Sequence, residues 1–295
     1  MIELVPFEPG LTAGVAQCYN DLMVDVPYSR PIPVERFGDD PVTLLGRRPL
    51  RNQEIAAARA DDGEVVGYVH VGIALPPEQP WHTQGEPGVI RVLAYRPGQR
   101  AVGQALLEWA EAWARRHERT AMEAFSLAFR YPFGLAPYAH LPDSIAHVWA
   151  LFTMNGYREA GSELHLHWCD FLPPTPVRPD LEFELSHEWQ DGPFGRQVEV
   201  VARQGETYLG RCIMIRMQED PEWGFCDELD VAEAFQGKRL GMFLLTTGLQ
   251  EMRGLGCVHA GISTNWTNYR AALFYTNLGY RFTCRTASFW KGLAP

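Results

Sequence analysis

The sequence contains no apolar run of the roughly 18 to 20 residues that a helix needs to cross a bilayer, so no membrane span is expected. Its start, Met1-Ile2-Glu3-Leu4-Val5, lacks a basic stretch ahead of an apolar core, and a cytoplasmic protein without a secretory leader is the expectation. Positive charge is in deficit: 26 Lys and Arg against 36 Asp and Glu give a formal net charge of −10. Binding to nucleic acid, which calls for a broad basic footprint, is therefore not expected, and neither is a membrane partner. Cysteine is sparse and scattered. Cys18, Cys169, Cys212, Cys226, Cys257 and Cys284 form no CxxC pair and no Cys/His cluster at metal-ligand spacing, so reduced thiols and no metal are expected. Low-complexity tracts are missing too, and 295 residues with an ordinary balance of apolar and charged types leave room for two cores.

What is present is a repeat, and repeats decide folds. Residues 54–75 read as a strand, an Asp61-Asp62-Gly63 turn and the strand Glu64 to Val71; residues 196–217 read as Val198 to Ala202, a Gln204-Gly205-Glu206 turn and Tyr208 to Met217. Each hairpin is followed by an apolar strand, a polar turn and an amphipathic helix. Leu106, Leu107, Ala110, Trp113 and Ala114 face inward in the first helix, and Leu244, Leu245, Leu249 and Met252 in the second, with Gly254 expected as its C-cap. Each copy then shows a short strand, a helix finishing in Gly-Tyr (Gly156-Tyr157; Gly279-Tyr280) and a closing strand. The run Phe171-Leu172-Pro173-Pro174-Thr175-Pro176 opposes both helix and central strand. The linear partition is thus 1–170, a proline-rich linker at 171–178, and 179–295. The first copy opens with a strand, Glu3 to Phe7, and a helical stretch from about Leu11 to Val26. In the second, only Ser186 to Gly195 follows an opening strand at Leu181 to Leu185, too little for two helices.

Chemistry concentrates in Asp227-Glu228-Leu229-Asp230-Val231 and the turn and helix start that follow, Gln236-Gly237-Lys238-Arg239-Leu240-Gly241-Met242. A turn of this kind leaves the first helical N–H groups without partners, where an anionic pyrophosphate can satisfy them at the positive end of the helix dipole. Lys238 and Arg239 add charge, and Gly237 and Gly241 permit close approach. Alone, the stretch is also compatible with a glycine-rich turn carrying solvated cations.

Its context resembles the GNAT family of acyltransferases, whose acetyl-CoA signature reads Gln/Arg-x-x-Gly-x-Gly/Ala. Gln236 and Gly241 match it, and Arg239 replaces the middle glycine. Downstream, Asn268-x-x-Ala271-x-x-Phe274-Tyr275-x-x-x-Gly279-Tyr280 is similar to the family's Asn…Tyr…Gly-aromatic segment. The resemblance implies an α+β fold of two tandem GNAT-like domains. Each would have a mixed, mostly antiparallel sheet flanked by helices and splayed between its fourth and fifth strands to admit a pantetheine arm. It further implies an acetyl-CoA cosubstrate held by Leu229, Val231, residues 236–242 and Asn268, with Tyr275 at the thioester sulfur. A phenol with pKa near 10 is still protonated at neutral pH and can give a proton to a leaving thiolate.

The family's strand-four glutamate position falls on Phe225. Period-two alternation places Asp227 on the face of Phe225, making it the first choice for a general base; Glu228 points the other way, Glu222 lies in a turn, and a water relay is a further route. Aligning Gly103 with Gly241 lays Gly98 to Gly103 on the loop positions, Phe152 on Tyr275 and Ile145 on Asn268. The first copy can hold CoA on this reading, but it should be catalytically silent. The expected activity is acetyl transfer to a small amine in a ternary complex. A silent CoA-binding scaffold and an acetyltransferase acting on a protein amine are the rivals. His165 and His167 share a strand face and are expected on the sheet surface, and Phe129 to Tyr138 is expected to be an ordered loop.

Overall fold

The computed structural model describes residues 2–29, 31–37, 50–75, 86–129, 140–192, 194–218 and 220–293. Residues 130–138 of the aromatic loop lie outside them. The chain forms two compact units, Met1–Glu163 with Cys284–Pro295, and Leu164–Thr283.

Unit 1 begins with β1 (Glu3–Pro6), α1 (Thr12–Met23) and α2 (Val34–Phe37), followed by β2 (Leu50–Arg59), β3 (Val65–Ala74) and β4 (Gly88–Tyr95). Then come α3 (Arg100–Arg116), β5 (Ala121–Ala124), β6 (Leu141–Pro142) and α4 (Ala146–Met154). β1 to β4 pair antiparallel in sequence order, and β5 joins β4 in parallel. α3 buries Leu106, Leu107, Ala110, Trp113 and Ala114, the stripe its periodicity marks.

β7 (Arg158–Cys169) divides between the units. Unit 2 continues with β8 (Glu184–Gly192), β9 (Gly195–Gln204), β10 (Thr207–Met217), β11 (Trp223–Val231), α5 (Leu240–Gly254), β12 (His259–Asn265) and α6 (Tyr269–Leu278). β8 to β11 form an antiparallel meander, and β12 pairs in parallel with β11. The last strand, β13 (Arg281–Gly292), pairs through Phe289↔Ala124 and Gly292↔Ala121 with β5. Most of β13 therefore belongs to unit 1, while the second half of β7 lies in unit 2, where the strand neighbours β12. The contacts thus divide the chain differently from a linear cut at the proline-rich linker, because the fifth strand of each sheet takes its next neighbour from a distant stretch of sequence.

Two local expectations change. The opening strand of unit 2 is Glu184–Gly192 rather than Leu181 to Leu185, and only residues 193 and 194 separate it from β9. The terminating glycine of α5 is not Gly254, which lies inside the helix. Leu255 is the C-cap, and Gly256 follows at φ +86°, its N–H bonded to the Arg253 carbonyl at 3.0 Å.

Unit 2 packs α5 tightly on its sheet. A Cβ at Gly248 would lie 2.7 Å from Met214 Cγ, and one at Gly224 would lie 2.9 Å from Met252 Cγ, so these glycines set the helix-to-sheet distance. Leu240, Leu244, Leu245, Leu249 and Met252 are fully buried in the resulting core. This packing fixes the start of α5 against the end of β11.

Candidate functional site

β11 changes register halfway along. Ile215 faces Phe225 and Met214 faces Cys226, but Ile213 faces Glu228, so Asp227 is the extra residue of a β-bulge. β11 pairs with β12 only from Trp223↔His259 to Cys226↔Ile262. Beyond the bulge the register between them ends, and Leu229 and Val231, the partners of Cys212 and Gly210, stand on the α5 face.

The chain then makes a short 3₁₀ turn, Glu233–Phe235, and a loop that enters α5 at Leu240. Gly237 takes φ +75° and Arg239, the N-cap, takes φ +67°. The left-handed conformation explains the glycine in the family signature at this position: an L side chain there costs about 1–2 kcal/mol. Phe243 N–H bonds back to the Arg239 carbonyl at 3.1 Å. The N–H groups of Leu240, Gly241 and Met242 precede it and have no acceptor inside the helix, and the Arg239 side chain does not cap them. An Arg239→Gly variant should therefore gain about 1 kcal/mol in a urea melt.

These elements enclose a cleft of about 630 Å³. Of the residues expected to hold the cosubstrate, Leu229, Val231, Gln236, Gly237, Arg239, Leu240, Gly241, Met242 and Asn268 all line it, as does Tyr275. Lys238 does not; its ammonium sits 5.3 Å from the centre of the Phe235 ring. Gln236 ties the loop down, donating from Nε2 to the Val231 carbonyl at 3.0 Å and accepting from Arg270 Nη1 at 3.5 Å. Asn268 caps α6, its Oδ1 accepting from Ala271 N–H at 3.1 Å, which leaves its amide NH₂ as the half not used by the cap. The sequence reading missed Asp230, Arg270, Ala271 and Phe274, which also line the cleft. Ala271 lies one turn before Tyr275 on α6 and Phe274 three residues after Ala271, a helical spacing that could have found them.

Tyr275 is 7% exposed, at the cleft wall, with its ring centre 6.0 Å from that of Tyr280. Burial pushes its pKa up, and the thiols of Cys226 and Cys212 push in the same direction. The phenol therefore keeps its proton through the whole neutral range.

Asp227 is half-buried and does not line the cleft. The bulge overturns the alternation that placed it with Phe225: Ile213 and Ile215 share a face, so their partners Glu228 and Phe225 do as well. Glu228, however, accepts from Arg211 through both oxygens, at 2.9 and 2.8 Å, and Arg211 also reaches Glu199 at 3.1 Å. Glu222 sits at the opposite end of β11 from the cleft, its carbonyl accepting from Val258 and His259.

His165 and His167 are buried rather than on the sheet surface. His167 Nε2 lies 3.1 Å from His259 Nδ1, and its ring stacks on Trp223 at 4.7 Å. Burial, and then the neighbouring His259, lower the His167 pKa to about 4. Between pH 6.5 and about 4 the unfolded chain takes up a proton that the folded chain refuses, so stability rises with pH in this window and is lost as pH falls through it. The loss should be on the order of 2 kcal/mol by urea titration, with a flatter slope in His167→Phe; equal slopes would clear His167 of the effect. Among the described residues no group of three or more His, Cys, Asp or Glu is placed to hold a metal ion.

Residues 162–280 match the sequence profile of the acetyltransferase (GNAT) family. That stretch carries a GNAT-family domain. A search of curated proteins gave no significant match. Among solved structures, the whole chain superposes on 99% of a tandem GNAT protein from the clavulanic acid biosynthesis pathway, with a TM-score of 0.70 at 17% identity. It likewise covers 96% of a GCN5-related N-acetyltransferase from Sphaerobacter thermophilus, with a TM-score of 0.65 at 14% identity. Ninety-nine per cent of it also covers 38% of a fungal multi-domain β-N-acetylglucosaminidase that contains a glucosamine N-acetyltransferase region, at a TM-score of 0.67 and 14% identity. At these identities the likeness is one of fold, and that fold is the α+β tandem GNAT arrangement expected from sequence. No helix among the described residues is long and apolar enough to cross a membrane.

Proposed function

We propose that this chain is an acetyl-CoA-dependent N-acetyltransferase that works in unit 2 and passes the acetyl group directly to a small amine. The observation that carries the reading is the single cleft joining the N–H groups at the start of α5, the Arg239 cation, Asn268 and the protonated Tyr275. A donor-rich helix start suits a pyrophosphate, and the apolar run from Leu229 to Val231 suits the thin pantetheine arm.

When bound, acetyl-CoA supplies an acetyl thioester already activated for attack. Leu240, Gly241 and Met242 hold its phosphates through backbone N–H groups. Asn268 orients the arm with its amide, and Tyr275 hands its proton to the sulfur as the C–S bond breaks. The Asp227 bulge interrupts the β10–β11 ladder, as a backbone N–H that polarises a carbonyl requires. Asp227, outside the cleft lining, takes up the proton lost by the amine through water rather than directly.

The test is thiol release from acetyl-CoA across a broad panel of amines, with Asp227→Asn alongside. Turnover with a small amine supports the proposal. Acetyl-CoA binding with no thiol release from any acceptor would leave a silent scaffold. A second acceptor class, protein amines, is favoured by the direct β8–β9 turn, which leaves no room for helices at that end of unit 2. Peptide amines in the same panel separate the two, since a preference for peptides would displace the small-molecule reading.

A further inference from the structure

We infer that unit 1 is a plugged copy of unit 2 and that each chain binds one acetyl-CoA, in unit 2 alone. The inference rests on the proposed reading of the unit 2 cleft as the cosubstrate site.

The bulges give the correspondence between the copies. In β3 and β4, His70 faces Val92 but Val71 faces Ile90, so Arg91 is the extra residue, as Asp227 is in β11. Four residues further on, each strand ends, at Tyr95 and at Val231. With Phe152 laid on Tyr275, His147 falls on Arg270. β4 pairs with β5 only from Gly88 to Ile90, so the two strands part at the bulge, as β11 and β12 do.

In unit 2, Val231 and Arg270 are two walls of the open cleft. In unit 1 the residues in their places are bonded to each other. Tyr95 Oη donates to the His147 carbonyl at 2.9 Å, and His147 Nε2 donates to the Tyr95 carbonyl at 2.9 Å. Their rings meet edge to face at 4.9 Å. Tyr95 also covers the helix start. A Cβ at Gly103 would lie 2.5 Å from its ring, whereas one at the matching Gly241 would meet only Val231, at 3.4 Å. From strand end to the matched glycine, unit 1 is two residues shorter (Tyr95 to Gly103 against Val231 to Gly241), which draws Tyr95 onto α3.

The catalytic side is filled as well. Arg91 is buried at the bulge, with Nε donating to the Phe129 carbonyl at 2.7 Å and Nη1 to Gln53 Oε1 at 3.0 Å. Phe152, in the place of Tyr275, is fully buried against Phe125 and Tyr157, at 5.3 and 4.7 Å. Opening a path for pantetheine would mean breaking both part-buried Tyr95–His147 hydrogen bonds, each a net loss to the fold, and displacing the Tyr95 ring from the helix start. The helix start is kept in unit 1, but the entrance is gone.

Calorimetric titration of acetyl-CoA into the full chain tests this. One molecule per chain is expected, with Arg100→Glu at the start of α3 unchanged and Gly241→Asp abolishing the signal. Arg239→Glu is a second unit 2 variant should Gly241→Asp misfold by circular dichroism. Two molecules per chain, or wild-type affinity surviving in both unit 2 variants, would overturn the plug. Absence of binding to the wild type would instead overturn the cosubstrate reading, so the two failures are told apart.

Discussion

Tyr275→Phe is expected to bind acetyl-CoA as the wild type does and to turn over about 10²–10⁴-fold more slowly, the range for loss of a general acid. The variant removes one oxygen from a ring that is 7% exposed and packed against Phe274 and Tyr280, so its shape is retained. What goes is the proton for the departing sulfur. A thiolate can leave without it, since a thiol has a pKa of about 8.5, and this is why some turnover should survive. Because burial raises the phenol's pKa, Tyr275 stays neutral as pH climbs. The wild-type kcat profile should therefore show no decline from its ionisation below about pH 10. Single-turnover thiol release measured across pH decides the matter. Undiminished turnover in Tyr275→Phe would remove it from catalysis, and a rise in KM alone would make it a wall of the cleft.

Tyr275 was legible in the sequence because everything that identifies it is local: its distance from Asn268, the helix period and the Gly-Tyr terminus. The loop at 236–242 was legible for the same reason, as a strand, turn and helix in direct succession. Features that depend on pairing partners were not. The Asp227 bulge exists only because β10 pairs with β11 in one register, and no single strand states its register; one extra residue was enough to exchange the faces of Asp227 and Glu228. β8 eluded the reading because an edge strand needs no apolar face. Its Ser186-His187-Glu188-Trp189-Gln190-Asp191 stretch is exposed on both sides and has the polarity of a loop. Arg270 and His147 gain meaning only when the two copies are compared in three dimensions, one lining a cleft and the other helping to shut it.

Gly241→Asp should move stability and binding in opposite directions, which no general misfolding effect can mimic. Gly241 is the second residue of α5 and a wall of the cleft, and an added Cβ would meet only Val231 Cγ2, at 3.4 Å, so the backbone can stay where it is. A carboxylate in the first turn complements the helix dipole and can accept from its N–H groups, worth about 0.3–1 kcal/mol, on top of the gain from replacing a helical glycine. The melting temperature should hold or rise slightly. The same carboxylate occupies the ground proposed for the pyrophosphate and opposes it in charge. Losing one or two charge-assisted hydrogen bonds of about 1.5–3 kcal/mol each should weaken acetyl-CoA by roughly 100-fold or more. Gly241→Ala, which adds the Cβ without the charge, separates the two causes. If Ala and Asp weaken binding equally, the loss is steric and the anion site lies elsewhere; if only Asp does, the start of α5 holds the phosphates.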